Sequence, residues 1–197
     1  MHVHFTRHAE TRANVERVHQ GDPKKTITAQ GCKHIDMLAK KLAREQIDVI
    51  ISSDMNRCKE TTARILQQIK VPVIFTTLLR EKENGDFAGK SYANDDWGKL
   101  AGNFETRKPL GGENLIEVRE RARTFFADLI KRKEERILVV THGAFLRVLF
   151  GDLLGMSLHN SIFRFKINHC SLSLVQVENK KEYCVVYINN SEFLSPG

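Results

Sequence analysis

The segment Arg136-Ile-Leu-Val-Val-Thr-His-Gly143 decides the fold class. Its run of apolar, largely β-branched side chains predicts a fully buried strand over residues 136–141. An apolar helix over residues 144–154 is predicted to follow after a very short turn. A buried strand that leads directly into a helix is typical of a parallel sheet covered by helices on both faces.

Strand and helix patterns alternate through the rest of the chain. The helix that begins at residue 114 opens with Asn114-Leu-Ile-Glu117, the spacing of a reciprocal N-terminal cap. The predicted fold is therefore a single domain over residues 1–197, an α/β/α sandwich of three layers with a mostly parallel central sheet. The other strands are predicted at residues 2–5, 48–51, 71–77, 171–178 and 182–188, the last two as a hairpin broken at Asn179-Lys180, and the other helices at 29–44 and 57–69.

Residues 92–112 break this pattern. They show little periodicity and contain Gly98, Gly102, Pro109, Gly111 and Gly112. Long irregular segments inside a compact domain are often functional. We therefore expect a cap, at about residues 90–113, that covers a site.

Composition limits the kinds of partner. The chain carries a formal net charge of +7 and has a pI near 9.3, which favours anionic ligands such as phosphorylated metabolites. The basic residues are scattered and do not form a stripe interleaved with aromatic residues, so nucleic-acid binding is not expected. Stretches without charge, such as residues 153–163, are far shorter than the roughly 18 apolar residues that a membrane helix needs.

The chain also gives clues to its compartment. Residues 1–8 lack a basic head followed by an apolar core, so no secretory signal is expected. The four cysteines form no C-x-x-C pair, which fits reduced thiols. We expect a cytoplasmic protein, either a monomer or a homodimer.

Complementary reactive side chains follow four of the predicted strands. Because ligands of open parallel sheets bind beyond the carboxyl ends of the strands, these side chains are expected to meet at one edge. Guanidinium groups match phosphate oxygens, a neutral imidazole can attack phosphorus, and a carboxylic acid can protonate a leaving alkoxide. The residues concerned are Arg7, His8, Arg57, Glu81 and His142.

Five short blocks of sequence resemble the motifs of the histidine phosphatase superfamily, the group that includes the cofactor-dependent phosphoglycerate mutases. They occur in the family's order and span about residues 4–175. The blocks are RHAETRAN at residues 7–14, SSDMNRCKETTA at 52–63, LREKENGDFAG at 79–89, VTHG at 140–143 and NHCS at 168–171.

The resemblance implies specific roles. His8 would become phosphorylated, Arg7, Arg57 and His142 would complete a phosphate pocket, and Glu81 would be the proton donor. No metal or organic cofactor would be needed. The residues implied to bind the substrate around this pocket are Thr11, Asn14, Gln20, Gly21 and Gly143.

Several departures and alternatives stay open. Ala9 and Ala144 stand where glycine is usual in the family, and the segment after Gly21 departs from the usual P-L-T pattern. Mutases of the family tend to carry R-H-G-x-S-x-W-N, whereas this chain has Thr11 and Ala13, which favours hydrolysis of small phosphorylated metabolites. The substrate itself is left open among sugar phosphates, phosphoglycerates, nucleotides and α-ribazole phosphate.

Three other functions remain possible at this point. The first is phosphoryl transfer of the phosphoglycerate mutase type. The second is a catalytically silent protein that uses the pocket only for recognition. The third is a metal hydrolase built on His2 and His4, which share one face of the first strand.

Overall fold

The computed structural model describes residues 1–23, 26–94, 96–178 and 182–195. Six strands form one sheet in the order β3-β2-β4-β1-β5-β6. The pairs β1–β4, β2–β4 and β2–β3 are parallel, and the pairs β1–β5 and β5–β6 are antiparallel. The strands are β1 (His2–Arg7), β2 (Val49–Ser53), β3 (Val73–Thr76), β4 (Arg136–Thr141), β5 (Leu172–Glu178) and β6 (Glu182–Asn190).

Strand β4 lies in the middle of the sheet and separates two apolar cores. Ile137 and Val139 face one core, whereas Leu138 and Val140 face the other, as the alternation of side chains along a strand requires. Helices cover both faces, so the predicted sandwich of three layers is confirmed. The helices are α1 (Arg12–Val15), α2 (Ala29–Leu42), α3 (Asn56–Ile65), α4 (Leu115–Leu129), α5 (Gly143–Leu153) and α6 (Leu158–Arg164).

Helix caps agree with the sequence signals. Thr28 accepts a hydrogen bond from the Gly31 amide at the start of α2. Asn114 and Glu117 form the predicted reciprocal cap of α4. Helix α3 starts without a side-chain cap of its own, and the Asp22 carboxylate accepts the Asn56 amide instead. Each cap satisfies amides that a helix start leaves unpaired.

Some boundaries differ from prediction. Helix α3 ends at Ile65, four residues before the predicted end, because the chain turns at Gln67 and Gln68. Helices α1 and α6 were not predicted, since each is too short to show periodicity. The predicted hairpin turn at Asn179-Lys180 lies outside the described residues.

In the described part of residues 92–112 there is no strand and no α-helix, which agrees with the irregular segment predicted there. Its regular elements among the described residues are the short 3-10 helices Tyr92–Asn94 and Trp97–Lys99, and two more, Thr77–Leu79 and Gly85–Phe87, precede it. None of the described helices has the length and apolar character that crossing a membrane requires.

Candidate active site

His8 follows β1 and is almost completely buried, with 2% of its surface exposed. Its Nδ1 lies 2.8 Å from the carbonyl oxygen of Ala9. A carbonyl only accepts, so Nδ1 carries the proton and the Nε2 lone pair is available for attack. Burial lowers the pKa of His8 well below the ordinary value, and Arg57 and His142 lower it further. The ring is therefore neutral at physiological pH.

His142 follows β4, the strand beside β1. The two imidazole rings of His8 and His142 are 5.2 Å apart between centroids. The Nε of Arg57 donates to Nδ1 of His142 at 3.1 Å, while Nε2 of His142 lies 2.9 Å from the Ser53 hydroxyl. Burial and the charge of Arg57 hold the pKa of His142 well below its ordinary value. This imidazole is thus neutral as well.

Arg7 is the last residue of β1, and its side chain is held in place by the backbone at residue 167. Its Nη1 donates to the Ile167 carbonyl at 2.9 Å. A Cβ at Gly143 would lie 3.2 Å from both Cζ and Nε of Arg7, so glycine lets the guanidinium pack against the first turn of α5. Burial lowers the pKa of Arg7, and the Glu81 carboxylate partly offsets this. Arg7 and Glu81 thus both lie against the first turn of α5, Arg7 at Gly143 and Glu81 at the amide of Ala144.

Glu81 lies beside the start of α5, directly after His142. Its carboxylate accepts hydrogen bonds from the amides of Ala144 and Phe145 at 3.1 Å to 3.2 Å. Arg121 donates to the carbonyls of Leu78, Arg80 and Glu81 and so fixes the backbone of this loop. Glu81 is therefore a positioned group and not merely a solvated surface acid.

The residues predicted to bind substrate are linked to one another. The Thr11 hydroxyl lies 2.8 Å from Oδ1 of Asn14 and 3.0 Å from Oε1 of Gln20. The Gly21 carbonyl accepts a hydrogen bond of 2.8 Å from Arg57. Nε2 of Gln20 is buried and has no partner among the described residues, which leaves a donor available to a bound anion.

Thr61 joins the two sides of the site. The Ala9 amide donates to the Thr61 hydroxyl at 3.1 Å, and that hydroxyl donates to the Arg57 carbonyl at 2.7 Å. One side-chain oxygen on α3 thus connects the loop that carries His8 to the helix that also carries Arg57. Thr61 lies within the second sequence block, but spacing alone gives it no role.

The histidines of the metal hypothesis lie elsewhere. His2 and His4 stand at the beginning of β1, at the opposite end of the strand from Arg7. His4 is buried, and its Nε2 is 3.9 Å from the Glu45 carboxylate. In the described ranges, no three His, Cys, Asp or Glu side chains form a group that could hold a metal ion. The structure therefore gives this alternative no third ligand.

The five residues predicted at the strand ends meet at one edge of the sheet, as this geometry shows. A model of the histidine phosphatase superfamily (branch 1) matches residues 3–190 of the chain. The chain belongs to this superfamily. The family resemblance of the five sequence blocks is therefore confirmed.

Individual relatives agree with the family. The chain is 30% identical over 187 residues to the probable phosphoglycerate mutase GpmB of Proteus mirabilis, covering 91% of this chain and 86% of that one. It is 24% identical over 197 residues to the putative phosphoserine phosphatase 2 of Hydrogenobacter thermophilus, covering 95% and 94%. The solved structure of Bacillus stearothermophilus YhfR, 24% identical, matches with a TM-score of 0.88 over 98% and 99% of the two chains, which supports the fold. The expectation of a phosphatase enzyme agrees with this family membership.

Two neighbours of the site were missed from the sequence. His169 lies on the other side of His8, with ring centroids 5.5 Å apart. Ser53 contacts His142 from the end of β2. His169 falls within the last block, NHCS, but a histidine in a turn has no spacing signal, so only the three-dimensional structure reveals its position.

Proposed function

We propose that this protein is a phosphomonoesterase that hydrolyses small phosphorylated metabolites through a phosphohistidine on His8. The observation that carries the proposal is the hydrogen bond from Nδ1 of His8 to the Ala9 carbonyl, which directs a lone pair onto Nε2. Two guanidinium groups, Arg7 and Arg57, flank this imidazole and lower its pKa. A nucleophile beside fixed cations is the arrangement that phosphoryl transfer requires.

In the first step, Nε2 of His8 forms a bond to phosphorus while the bond from phosphorus to the ester oxygen breaks. The protonated Glu81 carboxyl transfers its proton to the departing oxygen, which leaves as an alcohol. Arg7 and Arg57 donate hydrogen bonds to the phosphoryl oxygens, on which charge develops in the transition state. Nδ1 of His8 keeps its proton and its bond to Ala9 throughout.

In the second step, water attacks phosphorus and the bond to Nε2 breaks. The Glu81 carboxylate takes one proton from that water, so the products are inorganic phosphate, neutral His8 and protonated Glu81. The same carboxyl group thus serves first as acid and then as base. We assign His142, bound by Arg57 and Ser53, to the pocket as the neutral ring that holds the Arg57 guanidinium in position.

The proposal extends to the surroundings of the site. Five further residues contact the substrate or hold the side chains that contact it, namely Thr11, Asn14, Gln20, Gly21 and Gly143. Residues 1–197 form one domain, and about residues 90–113 cap the site. Trp97, Phe104 and Arg107 of this cap line a cavity together with Ala144, whose amide binds Glu81, which supports such a role.

The reaction needs no metal ion or organic cofactor in this proposal, because the arginine side chains supply the positive charge. The partner is a small phosphorylated substrate, with no nucleic acid and no membrane, and the protein acts in the cytoplasm as a monomer or homodimer. The four cysteines, Cys32, Cys58, Cys170 and Cys184, are free thiols, which supports a reducing compartment.

Turnover of p-nitrophenyl phosphate with excess chelator tests the proposal. Wild-type protein is expected to release phosphate, and His8→Ala is expected to lose activity by at least about 10³-fold, since the covalent route is closed. When the wild-type reaction is run with ³²P-labelled substrate and then quenched, an acid-labile, base-stable phosphoprotein should be trapped. His8→Ala should not form it.

His2→Ala is a matched control, because His2 is exposed at the far end of β1. It should keep full turnover. Loss of activity with chelator would support the metal hydrolase instead, and absence of both turnover and phosphoprotein would support a silent binder. Transfer of the label to a second phosphoglycerate in preference to water would support the mutase.

A further inference from the structure

A second cavity lies beside the candidate active site, on the side of β5. Its volume is about 550 Å³, and Arg7, Arg147, Lys166 and His169 are among its lining residues. We call it the cationic cavity. His8, Arg57, Glu81 and His142 do not line it, so Arg7 alone is shared with the proposed catalytic residues. Among the described residues that line it, Glu10 alone is acidic, and it accepts a hydrogen bond from Thr28.

Three nitrogen atoms of the lining residues are buried without a partner in the described part of the chain. They are Nε of Arg7, Nε of Arg147 and Nε2 of His169. A buried donor that finds no protein acceptor carries a free-energy cost unless water or a ligand satisfies it. Because all three side chains line the cationic cavity, we expect an acceptor-rich ligand bound there to be stabilised by their guanidinium and imidazole N–H groups.

Charge points to the same chemistry. Arg147 lies near enough to Arg7 to lower the pKa of the Arg7 guanidinium by repulsion. Nε of Arg147 has no hydrogen-bond partner among the described residues, and Lys166 is exposed. Burial and Arg7 lower the pKa of His169 to about 3, so its neutral ring offers one N–H donor at physiological pH. An anion between these groups would relieve the repulsion and accept their hydrogen bonds.

We propose that the cationic cavity is a second anion-binding site, which holds a carboxylate or phosphate group at the far end of a substrate whose phosphoryl group is attacked by His8. Two contacts connect the cavity to that reaction. Arg7 borders both places, and the His169 ring lies 5.5 Å from the His8 ring. The assignment to a substrate group depends on the proposed phosphatase function, whereas anion binding itself does not.

Calorimetric titration with inorganic phosphate tests the site without any turnover. Wild-type protein is expected to bind two phosphate ions, one at His8 and one in the cationic cavity. Lys166→Ala should weaken one of these sites by about tenfold or more, because a charge-assisted hydrogen bond is lost. Arg57→Ala should weaken the other site and leave the Lys166-dependent one. Lys133→Ala is a charge-matched control at an exposed lysine away from the cavity and should leave both sites unchanged.

A kinetic comparison then identifies the source of the anion. The two esters 3-phosphoglycerate and glycerol 3-phosphate differ in carrying a carboxylate or a hydroxymethyl group. The ratio of their kcat/KM values therefore measures how strongly the enzyme prefers the carboxylate. In Lys166→Ala and Arg147→Gln this ratio should fall by about tenfold, while Lys133→Ala keeps the wild-type ratio. Loss of the second phosphate site with an unchanged ratio would support a free anion as the ligand.

One result overturns the proposal, namely a single phosphate site whose affinity Lys166→Ala and Arg147→Gln do not change. Lys166 is exposed, so its substitution should not prevent folding. If no ester is hydrolysed at all, the proposed function fails, but the titration still decides whether the cationic cavity binds an anion.

Discussion

The Nε of Arg57 donates a hydrogen bond of 3.1 Å to Nδ1 of His142. A guanidinium group only donates, so Nδ1 of His142 is an acceptor and its proton is on Nε2. That proton points to the Ser53 hydroxyl at 2.9 Å. Arg57 and Ser53 together therefore fix both the tautomer and the orientation of a ring in the candidate site.

Ser53→Ala should disturb this ring. The variant leaves Nε2 of a fully buried imidazole without its oxygen acceptor, so we expect kcat to fall by roughly tenfold and the free energy of unfolding by about 1–3 kcal/mol. Steady-state kinetics and urea unfolding measure the two effects. Ser52→Ala is the control, since Ser52 is an equally buried neighbour that bonds to Thr62 instead. Equal kcat values for the two variants would contradict the role of Ser53.

Gly143→Ala should displace Arg7. The new Cβ would lie 3.2 Å from the guanidinium carbon, closer than such contacts usually are, so the side chain must shift by a few tenths of an ångström. Because small misplacements of a positioned group are costly in catalysis, we expect kcat/KM to fall by about ten- to a hundredfold. Thermal unfolding should change little, because Ala is a better helix former than Gly. Unaltered kinetics would show that Arg7 needs no such space.

Glu81→Gln should separate acid catalysis from binding. For an alkyl ester such as glycerol 3-phosphate, we expect kcat to fall by roughly 10²- to 10⁴-fold with a much smaller change in KM. p-Nitrophenolate leaves without protonation, so stopped-flow absorbance should show a burst of this product followed by slow hydrolysis of the phosphoenzyme. Glu83→Gln, two residues further along the same loop, should behave like wild type. A similar loss with both esters and no burst would exclude Glu81 as the proton donor.

The stability of the fold should depend on its buried histidines. In the folded protein the pKa values of His4, His8, His142 and His169 are lowered, chiefly by burial, and for His169 to about 3. In the unfolded chain they return to about 6.5, so below that pH the unfolded chain binds more protons. The free energy of unfolding should therefore fall as the pH is lowered from about 6.5 toward 3. Urea unfolding at a series of pH values measures this decline.

His169→Asn should make that decline shallower, because one of the histidines with a lowered pKa is removed. NMR titration of the folded protein provides an independent check, as the signals of His8 and His142 should show no protonation near pH 6.5. NMR is preferable to a rate profile here, since the substrate phosphate also titrates near pH 6. A signal of His8 that titrates at its ordinary pKa would refute the neutral nucleophile.

The sequence predicted the central part of the fold better than its margins. The strand at residues 136–141 was correct because consecutive apolar residues leave little choice at the centre of a sheet. The end of α3 was predicted too late, because the helical spacing of apolar residues continues to Ile69 although the helix ends at Ile65. The spacing of apolar residues indicates which side chains are buried. It indicates where a helix ends only if a helix-breaking residue, such as glycine or proline, follows.

The same contrast holds for the site. His8 and His142 were predicted because parallel strands bring their ends together and because both residues belong to family motifs. Arg147 and His169 were not, since their importance depends on which neighbours leave their nitrogens without partners. Such pairing is a property of packing between distant segments, and local patterns do not contain it.

The hydroxyl of Thr61 binds the backbone on both sides of the site, at Ala9 and at Arg57. Because Arg57 and Thr61 both belong to α3, a displacement of this helix shifts the guanidinium and strains the hydrogen bond to Ala9 at the same time. Surface redesign or immobilisation of the protein should therefore avoid shifting α3 and should retain Thr61.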